Sequence, residues 1–446
     1  MAEGVGTLSY ATTTAKPPLE FGVRLRLSIM MFLQFAVWGG WFVVFGNYVL
    51  AKPSEGGLGF NGTQTGSLYG TMALGAILST MVAGQLADRF VASEFLMAAF
   101  HLAGAVLLYA MAHIHSFGAL WWTTLAYALV YNPTLAVSNS LAFANIPDAT
   151  RDFPTLRVLG TIGWIVANMA IDIFLPVGAL KTNKPLIMAA VLSAVLGVFS
   201  FVLPHTPPSG KKGDALPFLR AFKLLAYPSF GIFFGISFII TIALAFYYAF
   251  AAPFLQDLNF PKIPTVMSLG QWSEIFFMLA LPFALKRLGM KWVLGVGMAA
   301  WAVRYGLFAL QHPGVFIIVA VALHGVCFDF FLAAGFIYTD NKAPAAIRGS
   351  AQALFSFLVY GVGMWIGNTI SGVVVDKFTV NGVHQWSKIW LVPAIGAAVC
   401  LALFLVLWRD TEGKVQDEPG RDFAGEMATE VAASPKDPNE VSQTAG

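Results

Sequence analysis

The sequence predicts an all-α polytopic membrane protein with twelve transmembrane helices in two six-helix bundles. Three observations predict it. Of 446 residues, 57% are hydrophobic and only 11% charged, with a mean hydropathy of +0.72, far outside the soluble globular range. Apolar runs of about 20 residues, enough to cross roughly 30 Å of hydrocarbon, recur between Gly, Pro and charged breaks. These runs fall into two equal sets on either side of a polar, Pro-bearing stretch.

In chain order, residues 1–22 form a polar tail that lacks the apolar core and cleavage site of a secretory signal, so the first span is expected to stay uncleaved. The N-terminal bundle, 23–203, holds spans at 27–49, 65–87, 95–114, 119–141, 156–175 and 186–203. A linker, 204–228, carries Lys211, Lys212, Arg220 and Lys223. The C-terminal bundle, 229–408, holds spans at 230–250, 265–285, 292–310, 315–338, 351–374 and 389–408. The tail at 409–446 is charged, with Pro and Ser, and too polar to pack a core; it is expected to be disordered.

Lysine and arginine set the orientation. Arg24, Arg26, Arg89, Arg151, the linker cluster, Lys286, Arg287, Lys291, Lys342, Arg348 and Arg409 all fall on one side of the twelve-span reading, against fewer on the other. Both termini and the linker are therefore expected in the cytoplasm. The net charge of +3 comes from basic residues scattered among short loops, which excludes a nucleic-acid surface. Cys327 and Cys400 both lie in apolar runs and read as packing residues. No phosphate-cradling Gly-rich loop, metal-spaced His/Cys cluster or nucleophile-base pair appears, so no enzymatic chemistry and no cofactor are expected.

Charged side chains inside the apolar runs carry the functional signal, because an ionisable group at membrane depth is costly unless it faces a polar cavity. Arg157, Thr161 and Trp164 stand at i, i+4 and i+7, one stripe of the fifth span. They offer a guanidinium fork, a hydroxyl and an aromatic face with an indole donor; alternatively, Arg157 snorkels to the interface. Gln271 and Glu274 share a face of the eighth span, with Trp272 and Phe276 rotated away. Glu274 lies near mid-span, where low dielectric disfavours a charged carboxylate, as proton coupling requires; the alternative is neutralisation by Arg304 or Arg157. His324, Phe328 and Asp329 reach one pocket from the tenth span, with His324 in a secondary place. A neutral buried network of Arg157, Arg304, Glu274 and Asp329 is the structural alternative. Gln34, Trp38, Trp41, Asn47, Tyr131, Asn132, Asn139 and Asn145 are read mainly as contacts between helices. Gly39-Gly40 and Gly160-x-x-Gly163 permit close backbone approach, and Pro133 suggests a kink.

Two six-span halves with a cytoplasmic connector match the architecture of major facilitator transporters. Gly84-Gln85-Leu86-Ala87-Asp88-Arg89 resembles that superfamily's loop signature between spans two and three. Within it, the chain resembles the bacterial nucleoside:proton symporter family from Leu27 to Trp408. The resemblance rests on Phe32-Leu33-Gln34-Phe35 with Trp38-Gly39, Tyr131-x-Pro133-Thr134-Leu135, and Asp152-Phe153-Pro154 running into Arg157-x-x-Gly160-Thr161-Ile162-Gly163. Further matches are Gln271 with Ser273-Glu274, Phe328-Asp329-Phe330-Phe331, and Pro344-Ala345-x-Ile347-Arg348-x-Ser350-Ala351-Gln352.

The resemblance implies proton-coupled uptake of a nucleoside-like solute by alternating access, driven by the proton gradient, across the bacterial inner membrane. Its coupling positions fall on Glu274, Asp329 and Arg157. Its substrate positions fall on Arg157, Thr161, Trp164, Gln271 and Phe328, with Trp164 replacing an expected Phe. Where the family presents span-seven amides, this chain has Ala245 and Tyr248, and His324 stands where the family has Tyr. Those departures leave open a modified nucleoside, a nucleobase or another small polar solute. An exporter on the same fold, a non-transporting receptor and a membrane enzyme are the rival readings.

Overall fold

The computed structural model describes residues 17–89, 91–208, 217–312 and 314–409, with the side chains of 80–90, 217 and 346 left aside. The terminal tails at 1–16 and 410–446, the basic pair Lys211 and Lys212, and the side chains of the Gly84 to Arg89 turn lie outside the described residues.

Helices α1 (Phe21–Gly39), α2 (Phe45–Leu50), α3 (Gly62–Arg89), α4 (Ser93–His113), α5 (Phe117–Ala144), α6 (Ala149–Phe174) and α7 (Lys184–Phe199) pack mainly on one another. Asp148 caps α6, accepting the Thr150 and Arg151 backbone N–H groups at 3.0 and 3.2 Å. Pro185 stands in the first turn of α7, where a missing N–H costs nothing. A 3₁₀ segment, Pro217–Ala226, then leads into α8 (Pro228–Asp257).

The remaining helices form a second group. α9 (Ile263–Leu310) is two arms joined at Gly289, whose φ of 75° breaks the helical path between Lys286 and Lys291. After it come α10 (Val315–Ala322), α11 (His324–Cys327), a π-helical segment Phe328–Ala333 and α12 (Ala334–Lys342). α13 (Arg348–Ser356), a second π-helical segment Phe357–Gly363, α14 (Met364–Lys377) and α15 (Trp386–Leu407) complete the fold. Between α14 and α15, strands β1 (Thr379–Val380) and β2 (Val383–His384) pair antiparallel. Asn381 and Gly382 turn the hairpin with φ of 51° and 76°, the left-handed pair that a two-residue turn demands.

Among the described residues, nine helices are long and apolar enough to cross a membrane, the 48-residue α9 counting as one. The outward faces carry apolar side chains such as Val106, Leu279, Phe283 and Val406, as lipid contact requires.

The two groups meet along α3 against α14 and α6 against α9. Three sets of hydrogen bonds join them at one end. Asn47 donates to the Ala252 carbonyl and to Gln256 Oε1 at 3.1 and 2.8 Å. Asp376, at the end of α14, accepts Gly62 N–H at 2.6 Å and Thr63 N–H at 2.8 Å. Asp172, near the end of α6, accepts Thr265 N–H and its hydroxyl at 2.9 and 2.6 Å.

Candidate functional site

α6 brings Arg157, Thr161 and Trp164 to one inward side, as their spacing predicts. What holds that side in place is contact with α1. A Cβ on Gly163 would lie 2.1 Å from the Phe32 carbonyl oxygen, so only glycine lets these two backbones meet. With the helices that close, the Arg157 guanidinium sits 4.2 Å from the centre of the Phe35 ring, a cation–π seat inside the protein. Arg157 therefore turns inward and does not reach for the interface.

The first arm of α9 presents Gln271 and Glu274 inward, while Trp272 and Phe276 are exposed. α11 lies directly on this arm. A Cβ on Gly325 would be 2.4 Å from the Ser273 carbonyl carbon and 2.6 Å from the Glu274 nitrogen. The Ser273 hydroxyl donates to the Ala322 carbonyl across the same contact. Asp329 follows one turn later, fully buried, with neither carboxylate oxygen hydrogen-bonded. Glu274 and Asp329 lie within range of each other's charge, and Arg157 acts on Glu274 from the opposite group of helices. Tyr360, in the second π-helical segment, is within range of both carboxylates.

Rings bridge the same gap. Trp164 packs edge-on to Trp38 at 5.3 Å, Trp38 touches Phe42 at 5.5 Å, and Phe42 reaches Tyr248 on α8 at 5.9 Å. From Tyr248 the path continues to His324 at 6.5 Å and on to Phe328 at 5.7 Å. The indole N–H groups of Trp38 and Trp164 are buried without an acceptor. An unpaired buried donor or acceptor is costly, so the two indoles on one group of helices and the Asp329 carboxylate on the other are polar groups left without a protein partner.

The family model described as Nucleoside H+ symporter matches residues 21–413. This chain belongs to the nucleoside H+ symporter family. It is 39% identical over 409 residues to a putative nucleoside transporter, YegT, of Escherichia coli K12, covering 87% of this chain and 95% of that one. With the xanthosine permease of the same organism it shares 33% identity over 406 residues, 85% of this chain and 94% of the other. A crystal structure of the nucleoside transporter NupG aligns at 30% identity with a TM-score of 0.79, covering 87% of this chain and 99% of that one.

Within this symporter-family protein, Arg304 does not stand where the charge count placed it. It pairs with neither carboxylate. Its Nη1 meets His324 Nδ1 at 3.1 Å, and the guanidinium lies 3.5 Å over the Tyr247 ring. The cause is packing: the second arm of α9 lies against α8 and α15, and Tyr305 anchors it by donating to the Ala243 carbonyl at 2.6 Å. Several amides are likewise spoken for. Gln34 donates to Thr134 at 2.7 Å and contacts His101 Nε2 at 2.8 Å, Asn132 donates to the Met72 carbonyl, and Asn145 to Leu141 and Thr206. Phe35, Phe42 and Tyr360 were not anticipated. Phe35, Trp38 and Phe42 do share i, i+3, i+7 spacing, a signal available in the sequence.

Proposed function

We propose that this protein imports a nucleoside with protons by alternating access, using Glu274 and Asp329 as the proton-coupling carboxylates and Arg157 as their charge regulator. What supports the proposal is Arg157 turned inward over Phe35, within electrostatic reach of Glu274 on the opposite group of helices, together with the buried, unpartnered Asp329 carboxylate. Two negative charges in a water-poor site with one cation within range favour the uptake of a proton. Protonation removes a charge and releases Arg157 from Glu274, so proton binding changes the attraction between the two groups. A nucleoside then binds a site of matched charge. Trp164 and Phe328 stack on its base, Thr161 and Gln271 hydrogen-bond it, and Tyr248 and His324 line the side opposite Trp164.

In this reading the two arms of α9 count separately and α3 and α5 also span, giving twelve spans. The bundles are 23–203 and 229–408, joined by the linker 204–228, in the major facilitator arrangement. Both termini face the cytoplasm of a bacterium, and the protein sits in its inner membrane. The end held by Asn47, Asp172 and Asp376 is then the outer one, and rocking of the bundles breaks these contacts. The proton gradient is the driving force, and the proposal requires no cofactor.

Uptake of labelled nucleosides into de-energised proteoliposomes, with and without an imposed pH gradient, tests the reading. Accumulation only with the gradient supports it. Uptake that ignores the gradient, or no uptake of any nucleoside, refutes it.

A further inference from the structure

Among the described residues, Arg304 is the fully buried cation that the transport cycle above leaves unused. No carboxylate among those residues neutralises it; its neighbours are His324, the Tyr247 ring and the Cys327 thiol. A charge kept in such a place at such cost calls for a physical reason.

We propose that Arg304 is a positioning residue that fixes His324 as a hydrogen-bond donor for the base of the transported solute. The inference rests on the nucleoside symport reading and deepens it by naming a contact: His324 Nε2–H donates to an acceptor on the base, a carbonyl oxygen or an unprotonated ring nitrogen.

The tautomer follows from the contact. A guanidinium carries only donors, so His324 Nδ1, 3.1 Å from Arg304 Nη1, must be the acceptor, and the ring proton lies on Nε2. The ring has little freedom. Tyr247 stacks on it at 5.3 Å and 23°, while Arg304 covers the Tyr247 ring at 3.5 Å. Gly270 backs it closely enough that a Cβ there would lie 3.1 Å from His324 Cβ. Tyr248 and Phe328, both on the ring path across the site, are its other aromatic neighbours.

The ionisable groups that meet the His324 ring are Arg304 from the second arm of α9 and Tyr247 and Tyr248 from α8; Cys327 and Asp329 follow in its own stretch, and Glu274, on the first arm of α9, acts on Tyr248 and Asp329. Of these, Arg304 makes the direct polar contact. A second proton on His324 would set donor against donor and cation against cation at 3.1 Å. His324 therefore holds the solute as a neutral donor, and the carboxylates carry the proton.

Two readouts test this. In ¹⁵N-histidine-labelled protein, with the His324 signal identified by its loss in His324→Gln, the wild type should show one neutral Nε2–H tautomer between about pH 5.5 and 8. Arg304→Met should produce a tautomer mixture or a titrating ring. In proteoliposome uptake, Arg304→Met and His324→Phe should each raise KM for the transported nucleoside about tenfold with Vmax largely kept, the size of one lost hydrogen bond. The double variant should be no worse than the poorer single one.

A wild-type His324 that titrates in that range or carries its proton on Nδ1 overturns the proposal, even where Arg304→Met does not fold. Additive effects of the two substitutions on KM overturn it as well. A wild type with the expected tautomer that transports no nucleoside sinks the symport reading, and with it the role in holding the solute, while leaving the Arg304–His324 geometry standing.

Discussion

Thr63 gives both its backbone N–H, at 2.8 Å, and its hydroxyl, at 2.5 Å, to Asp376 across the seam between the two groups of helices. Thr265 does the same to Asp172 on the other side of the molecule. In each case a carboxylate near the end of one helix caps the start of a helix in the opposite group, where the backbone N–H groups and helix dipole favour negative charge. The twelve-span reading makes these one device used twice, since six spans separate Asp172 from Asp376 and Thr63 from Thr265.

Removing both caps should loosen that end. Each charged cap is worth about 1 kcal/mol at a partly exposed site, so Asp172→Ala with Asp376→Ala should shift the open-to-closed ratio there by a factor of about ten to thirty. Spin labels at Glu55 and Val380, one in each group and both exposed, measure this by electron–electron distance. A distance distribution identical to wild type would show that the caps do not hold the end shut.

Gly163→Ala should destabilise the protein by about 1–3 kcal/mol, the usual cost of forcing an extra methyl into close packing. The added carbon meets backbone at 2.1 Å and has no flexible neighbour to displace. Thermal unfolding in detergent should show a lowered Tm. Because α1 and α6 would part where Arg157 rests on Phe35, transport should fall further than stability alone explains.

Trp164 supplies both a ring face and an unpaired indole donor. Trp164→Phe keeps the face and should raise nucleoside KM only a few-fold, whereas Trp164→Ala should raise it at least tenfold, in line with about 1–3 kcal/mol for stacking on a base. Equal effects of the two substitutions would show that Trp164 does not stack on the solute.

The helical character and membrane location were legible in composition and run length, which depend on no tertiary contact. So was the inward stripe of Arg157, Thr161 and Trp164, because helix period alone decides which residues share a face. The partner of Arg304 was not legible: charge counting pairs it with a carboxylate, but only packing decides that it meets His324 and Tyr247. Helical spacing also says nothing of the π-helical segments at Phe328–Ala333 and Phe357–Gly363, which carry Asp329 and Tyr360. Such segments depend on neighbouring helices and recur at functional sites. The β-hairpin had a readable signal, Asn381-Gly382 between Val380 and Val383, masked by the apolar runs around it.

Proton coupling through Glu274 is the central claim, and it separates cleanly from solute binding. In liposomes loaded with a pH-sensitive dye, wild-type protein should acidify the lumen when nucleoside is added outside. Glu274→Gln, which keeps the shape and removes the titrating group, should still exchange labelled for unlabelled nucleoside while the nucleoside-dependent proton signal disappears. A Glu274→Gln protein that moves protons with nucleoside as the wild type does would contradict the account.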